Sequence, residues 1–248
     1  VVGPFSRFRI TGTALIILFA LVPLSLSCGK VDENRMADES SRSFTILGIN
    51  DVYRLGGVDA GRRGGLARFR TLRTEIEKDR DVLVLHAGDA LFPSLLSRLY
   101  EGAQMIDVMN ALDGDRTDFD KKFFFTPGNH EFEKGKLEKA SLVQDRIVES
   151  QFTWLGSDLH FVNDDTGEPV IAAPNLVRSV MTESGGVRVG IFSVTTDMAS
   201  PAYIERFDEP VETARRYVRE LREAGAEVVV GLTHLAAYQD KALLEELG

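Results

Sequence analysis

Phe123-Phe124-Phe125-Thr126-Pro127-Gly128-Asn129-His130-Glu131-Phe132 is the most informative run in the chain. Three consecutive aromatic residues predict a strand buried on both faces, because a half-exposed strand would alternate with polar residues. Pro127-Gly128 ends that strand and turns the chain. Asn129 and His130 therefore fall on a loop at the C-terminal edge of a strand, where open α/β sheets place their chemistry. An amide oxygen beside an imidazole suits a metal ligand next to a proton donor. The same pair ahead of a helix is also a common cap, so the rest of the chain has to decide between the two.

Working outward, three more apolar runs behave the same way. Residues 44–49 lead into Asn50-Asp51-Val52-Tyr53, residues 82–85 into His86-Ala87-Gly88-Asp89, and residues 228–232 into Thr233-His234. Between them lie helical patterns. Leu66, Phe69, Leu72 and Ile76 recur at helical spacing, with Arg68, Arg70, Arg73 and Lys78 assigned to a solvated face. Helices are also predicted over about 100–112 (stripe Met105, Ile106, Met109, Leu112), 134–149 and 211–224, and another begins at 241. Residues 152–156, 175–181 and 187–194 read as strands, the last two joined by a turn at Ser184-Gly185-Gly186. Strand–helix alternation followed by a hairpin predicts an α/β fold in layers, with a mixed sheet.

The four strand ends supply Asp51, Asp89, Asn129 with His130, and His234. One carboxylate at a strand end is unremarkable, whereas four ends carrying oxygen and nitrogen donors form a set. That mixture suits Mn, Zn or Fe better than Ca, which takes oxygen alone. A carboxylate such as Asp89 can bridge two ions, the arrangement used for in-line attack on phosphorus.

Asn50-Asp51, Gly64-Gly65-Leu66-Ala67-Arg68, Gly88-Asp89, Gly128-Asn129-His130-Glu131-Phe132 and Leu232-Thr233-His234, in this order, resemble the calcineurin-like metallophosphoesterases. Within them the chain is most similar to the branch of secreted 5'-nucleotidases, UDP-sugar hydrolases and cyclic phosphodiesterases, and Val187-Arg188-Val189-Gly190-Ile191 fits that branch too. The resemblance implies a four-layer sandwich, two mixed β-sheets flanked by helices, incomplete at the C-terminus. It implies two divalent metal ions (Mn, Zn, Fe or Co), with Asp51 on the first, Asp89 bridging both, and Asn129 and His234 on the second. His130 would face the phosphate, stabilising charge or protonating the leaving oxygen, and Glu133 would orient it from the place where the family has Asp. The implied reaction is attack of a metal-bound hydroxide on a small phosphorylated substrate, a nucleotide or related metabolite.

The chain also departs from the pattern. Tyr53 stands where the first motif has His, and a phenol binds metal only when strongly polarised, so Tyr53 is expected to pack over the first metal site rather than to bind. Pro93 replaces a usual Gly, and no Gly-His-x-His follows Thr233-His234 before Gly248, so the domain reads as cut short relative to longer relatives. These departures support a second reading: a catalytically impaired lipoprotein of the same fold that binds a metal or phosphate.

The 248 residues, 44% of them hydrophobic, suit one domain of about 200 residues plus an appendage. A formal charge of -9 without a cationic cluster argues against binding of a nucleic-acid polymer. In residues 1–28, Arg7 and Arg9 precede an apolar run over 14–26 that meets Ser27-Cys28-Gly29, the layout of an export signal of the lipoprotein type with Cys28 as the acylated residue. Cys28 is the sole cysteine, so no intramolecular disulfide can form. Residues 29–43 read as a flexible tether and 44–248 as the catalytic domain, held outside the cytoplasm, periplasmic or at the cell surface, by a lipid anchor in the membrane. Simpler roles are expected for His86 (structural), Trp154 (core), His160 (loop or surface), and Arg62 and Arg63 (solvated, with contact to a phosphate as the alternative).

Overall fold

The computed structural model describes residues 16–20 and 42–247. Cys28 and nearly all of the tether lie outside the described residues, as does the export segment apart from 16–20.

Eleven strands and six α-helices are described: β1 (Ile16–Ala20), β2 (Thr45–Ile49), α1 (Leu66–Glu77), β3 (Val82–His86), α2 (Leu95–Tyr100), α3 (Ala103–Met109), β4 (Asp120–Phe125), α4 (Ala140–Glu149), β5 (Phe152–Leu155), β6 (Leu159–Phe161), β7 (Leu176–Val177), β8 (Ser179–Ser184), β9 (Val187–Thr195), β10 (Ile204–Phe207), α5 (Pro210–Glu223), β11 (Val228–His234) and α6 (Ala237–Leu247). Two sheets stack. One has the order β2-β3-β4-β5-β7, parallel at every pairing. The other has the order β1-β11-β9-β8, with β11 and β9 parallel and the outer pairs antiparallel. Only the second is mixed.

The layering follows from the two-residue period of a strand. In β3, Val82 and Val84 face the helices while Leu83 and Leu85 face the second sheet; in β4, Phe123 and Phe125 face the helices and Phe124 the second sheet. The inter-sheet core then joins Leu83, Leu85, Phe124 and Leu155 to Val189, Ile191, Val230 and Leu232. The far side of the second sheet presents Phe192, Val194 and Val229 to Ala214, Tyr217 and Leu221 of α5 and Leu243 of α6. Helix, sheet, sheet, helix is the four-layer order.

Several local expectations are corrected. The helix expected over 100–112 is the shorter α3, Ala103–Met109; left-handed backbone angles at Glu101 and Gly102 separate it from α2, which was not expected. The helix expected from 134 starts at Ala140, preceded by single 3-10 turns at Asn129–Phe132 and Leu137–Lys139. In α1, Leu72 is exposed, while Arg73, assigned to the solvated face, is buried between Asp120 (2.5 Å) and Glu77 (2.7 Å). His160, expected on a loop or the surface, lies in β6, half-buried, with Nε2 2.9 Å from Asp208. The strands β6 and β10, which among the described residues pair only with each other, have no clear pattern in the sequence. The hairpin at Gly185-Gly186 is as expected, with φ of 56° and 72° at its two glycines.

Candidate active site

β2, β3 and β4 are adjacent and parallel, so their C-terminal ends open on one edge; β11 brings its own end to the same edge from the second sheet. A cross-sheet stitch fixes that approach. Thr195, opposite His234 in register, donates its hydroxyl to the Pro127 carbonyl at 3.1 Å and takes the Asp158 carboxylate on its backbone N–H at 2.7 Å. The two loops also touch directly: a Cβ on Gly88 would come within 2.4 Å of the Gly128 nitrogen.

Asp89 is the centre. It is buried and holds a left-handed φ of 61°, unusual for a non-glycine residue. Its Oδ1 accepts the His130 backbone N–H at 2.9 Å. Its Oδ2 accepts from the Tyr53 hydroxyl at 3.0 Å and lies 3.4 Å from Nε2 of His234. Burial works against the charge on Asp89, but His234, the His130 amide and Tyr53 outweigh it and lower the pKa. A Cβ on Gly128 would fall 2.3 Å from Asp89 Oδ1 and 2.7 Å from His234 Cε1, so no larger residue fits there without displacing them.

His234 points its Nδ1–H at the Ala87 carbonyl, 2.6 Å away, which leaves Nε2 facing Asp89. This is the second partner that metal-binding histidines ordinarily have. Burial opposes its protonation, yet Asp89 and the Ala87 carbonyl push its pKa up to about 9.

Asp51 also has a left-handed φ, 52°, and its N–H donates to the Gly88 carbonyl at 3.0 Å. The Tyr53 hydroxyl lies 2.8 Å from Asp51 Oδ1 and 3.0 Å from Asp89 Oδ2. One phenolic proton thus serves two carboxylates. Burial and these two acids raise the tyrosine pKa. Asn50 donates its amide to Asp51.

His130 is partly exposed, its ring edge-on to Tyr53 with centroids 5.6 Å apart. Its Nδ1–H meets Glu133 Oε1 at 2.5 Å, so the longer carboxylate reaches the ring, and Nε2 is 3.9 Å from Asp89, outside hydrogen-bond range. Asn129 opens the 3-10 turn between Gly128 and His130, both of which touch Asp89.

His86 is fully buried against Phe125; its Nδ1 accepts the Gly88 N–H at 3.1 Å, and burial and His234 press its pKa down to about 3, a neutral structural histidine as expected. Arg62 donates to the Asp59 carbonyl at 3.0 Å and Arg63 to the Asp59 carboxylate at 3.3 Å. Sequence reasoning missed Glu131, Thr195 and Asp158; Glu131 carried a signal, a carboxylate directly after Asn-His. A cleft of about 580 Å³ opens beside Asp51 and Tyr53, lined by Val52, Leu66, Phe69 and Leu72, but Asp89, His130 and His234 are not among its walls.

Among the described residues no group of three or more His, Cys, Asp or Glu side chains is placed to hold a metal ion. The donors that converge on Asp89 include a phenol and stand beside Asn129, residue types outside that grouping. They still fit a cation: two carboxylates share one proton, a neighbouring imidazole offers the nitrogen left over from its backbone bond, and the glycine cradle keeps side chains out.

A model of the calcineurin-like phosphoesterase family matches residues 44–247. The chain is 28% identical to a probable 5'-nucleotidase of Treponema pallidum over 89% of its length, and 27% identical to human 5'-nucleotidase over 82%. It covers 36% of each, so it spans little more than a third of these relatives. Among solved structures, the 5'-nucleotidase precursor of Thermus thermophilus superposes with a TM-score of 0.64 at 25% identity, over 80% of this chain and 38% of that one. With the four-layer order, the strand-end chemistry and a family match across nearly all of the described residues, the chain belongs to the calcineurin-like phosphoesterases.

Proposed function

We propose that this chain carries the catalytic machinery of a metal-dependent hydrolase of phosphate esters, acting on nucleotides or related small metabolites. The observation that carries the reading is the meeting at Asp89 of groups from three other strand ends: Tyr53 after β2, His130 after β4 and His234 closing β11. Asp51, Asp89, Asn129 and His234 are the residues that would hold the divalent ions. When bound, such ions neutralise phosphate charge and bring the pKa of water toward neutrality.

The chain's own residues would do the rest. Glu133 holds Nδ1 of His130, which orients the ring and leaves Nε2 for an incoming ester. In its imidazolium form, with Nδ1–H on Glu133, His130 can donate its Nε2 proton to the departing alkoxide or offset charge on the phosphoryl oxygens. His234 and the backbone amide of His130 hold Asp89 in a single orientation. The 5'-nucleotidase relatives support a nucleotide as substrate, and the acidic balance of the chain fits a small substrate better than a polymer.

The test is hydrolysis of a chromogenic phosphate ester with added Mn2+. His130→Ala is expected to lower kcat by roughly 10²–10⁴-fold, the range of a general acid. Equal rates for variant and parent would overturn the role given to His130. Treatment with a chelator should abolish turnover, and Mn2+ should restore it.

Tyr53 favours a second reading, a binding protein that does not turn over, since its hydroxyl stands between the carboxylates that would hold the first ion. Chelator-sensitive binding of Mn2+ with no hydrolysis of any phosphate ester would favour it. For residues 1–28 we keep the export-signal reading with acylation at Cys28, supported by Arg7, Arg9 and the apolar run that follows.

A further inference from the structure

The Glu131 carboxylate is fully buried and, among the described residues, bonds to no cationic side chain; it is filled by four backbone amides. Three follow β3: Asp89 N–H at 2.8 Å, Ala90 N–H at 2.7 Å and Leu91 N–H at 2.9 Å. The fourth follows β4, Gly128 N–H at 2.6 Å. Each carboxylate oxygen takes two donors. Oε2 bridges the two loops, receiving Asp89 N–H and Gly128 N–H, while Oε1 gathers Ala90 and Leu91.

We infer that Glu131 is the positioning residue of this site, a clamp that locks the ends of β3 and β4 into one unit so that Asp89, Asn129 and His130 keep a fixed relation. Three observations converge on it. Asp89 is held in a left-handed conformation that few non-glycine residues adopt, and its amide is one of the four clamped donors. The Gly88 and Gly128 backbones are in direct contact, so neither loop can shift without the other. Asp89 Oδ1 in turn receives the amide of His130, the residue before Glu131, so the two loops grip each other in both directions. Glu131 touches no reacting group; it acts through the backbone that carries them. Its assignment as a positioning residue rests on the proposed function, whereas the clamp itself is a property of the fold.

Glutamine is the discriminating substitution. It keeps size and shape, but it has one acceptor oxygen and places an amide group against two of the four N–H donors. The comparison is Glu131→Gln with Asp120→Asn, which disturbs the buried Arg73 pair elsewhere in the same sheet. Amide hydrogen exchange of the apo protein reads the clamp. In Glu131→Gln, the amides of Asp89, Ala90, Leu91 and Gly128 should lose protection together, and in Asp120→Asn they should keep it. Mn2+ titration reads the purpose. Glu131→Gln should weaken affinity by roughly 10–100-fold, as expected when a supporting partner of a ligand is lost, and Asp120→Asn should not change it. Should Glu131→Gln fail to fold, Glu131→Asp is subjected to the same pair of measurements, since its shorter side chain cannot span both loops.

Unchanged protection of those four amides in the variant would overturn the clamp. Lost protection with wild-type Mn2+ affinity would overturn the positioning role. If the wild-type chain takes up no Mn2+, the proposed function fails instead, and the exchange data still decide the clamp.

Discussion

The two halves of the candidate site are built differently. Around Asp89 and Gly128 the chain is buried, doubly bonded between loops and backed by Glu131, with the half-exposed His130 at its rim. Around Asp51 and Tyr53 the chain is largely exposed, rides on the outer strand of its sheet and borders an open apolar cleft. Tyr53, a departure from the family pattern among the groups that meet at Asp89, falls in the second half, while the conservative Glu133 reaches His130 at the rim of the first. Where backbone amides fix a carboxylate, a substitution at one position disturbs its neighbours; where side chains meet near solvent, a His can give way to a Tyr at little cost to folding.

That contrast can be broken by measurement. Phe124→Ala removes a ring that is 1% exposed between the sheets beneath the rigid half, and a loss of about 3–5 kcal/mol is expected in denaturant unfolding. A smaller loss would mean that the inter-sheet core is looser than its packing implies.

Asp158 sharpens the comparison from the second sheet. Burial raises its pKa to about 7, opposed by the Thr195 amide and Arg178 and reinforced by Asp208. A carboxyl group whose folded pKa is raised keeps its proton in the fold, so its stability contribution is full below about pH 4 and is lost as the pH rises through 7. Asp158→Asn can still accept the Thr195 amide. Its expected effect is no change at pH 4 and a gain of roughly 1–3 kcal/mol at pH 8, a few-fold below the full linkage limit. Parallel pH profiles for the two proteins would contradict this assignment.

The smallest effect on folding belongs to the open half. Tyr53→His should change stability by less than about 1 kcal/mol, as partly exposed positions do. It should tighten Mn2+ binding, because imidazole is the better ligand for a divalent ion. An unaltered titration would show that position 53 does not reach the ion.

The rigid half was the more legible in sequence. Three phenylalanines before Pro127-Gly128 fix β4, and Gly88-Asp89 and Thr233-His234 mark strand ends by composition alone. What stayed hidden were partners distant in the chain. In α1 the buried and half-buried positions follow 66, 69, 73 and 76, steps of three and four residues, so the stripe passes through Arg73 and leaves Leu72 outside. An arginine is admitted to that stripe because Asp120, 47 residues away, neutralises it, and no local pattern announces that pairing. Thr195 and Asp158 act across sheets in the same manner. The late start of the helix expected over 100–112 was local but quiet, resting on the left-handed Glu101 before Gly102.

Gly128 has one further consequence. With Asp89 Oδ1 and the His234 ring both inside the space a methyl group would need, hydrogen is the largest substituent this position accepts. Alanine there would act as a wedge, parting the seam between the sheets while leaving every ionisable group in the chain. It therefore offers a way to silence the protein by geometry alone, with its inventory of charges untouched.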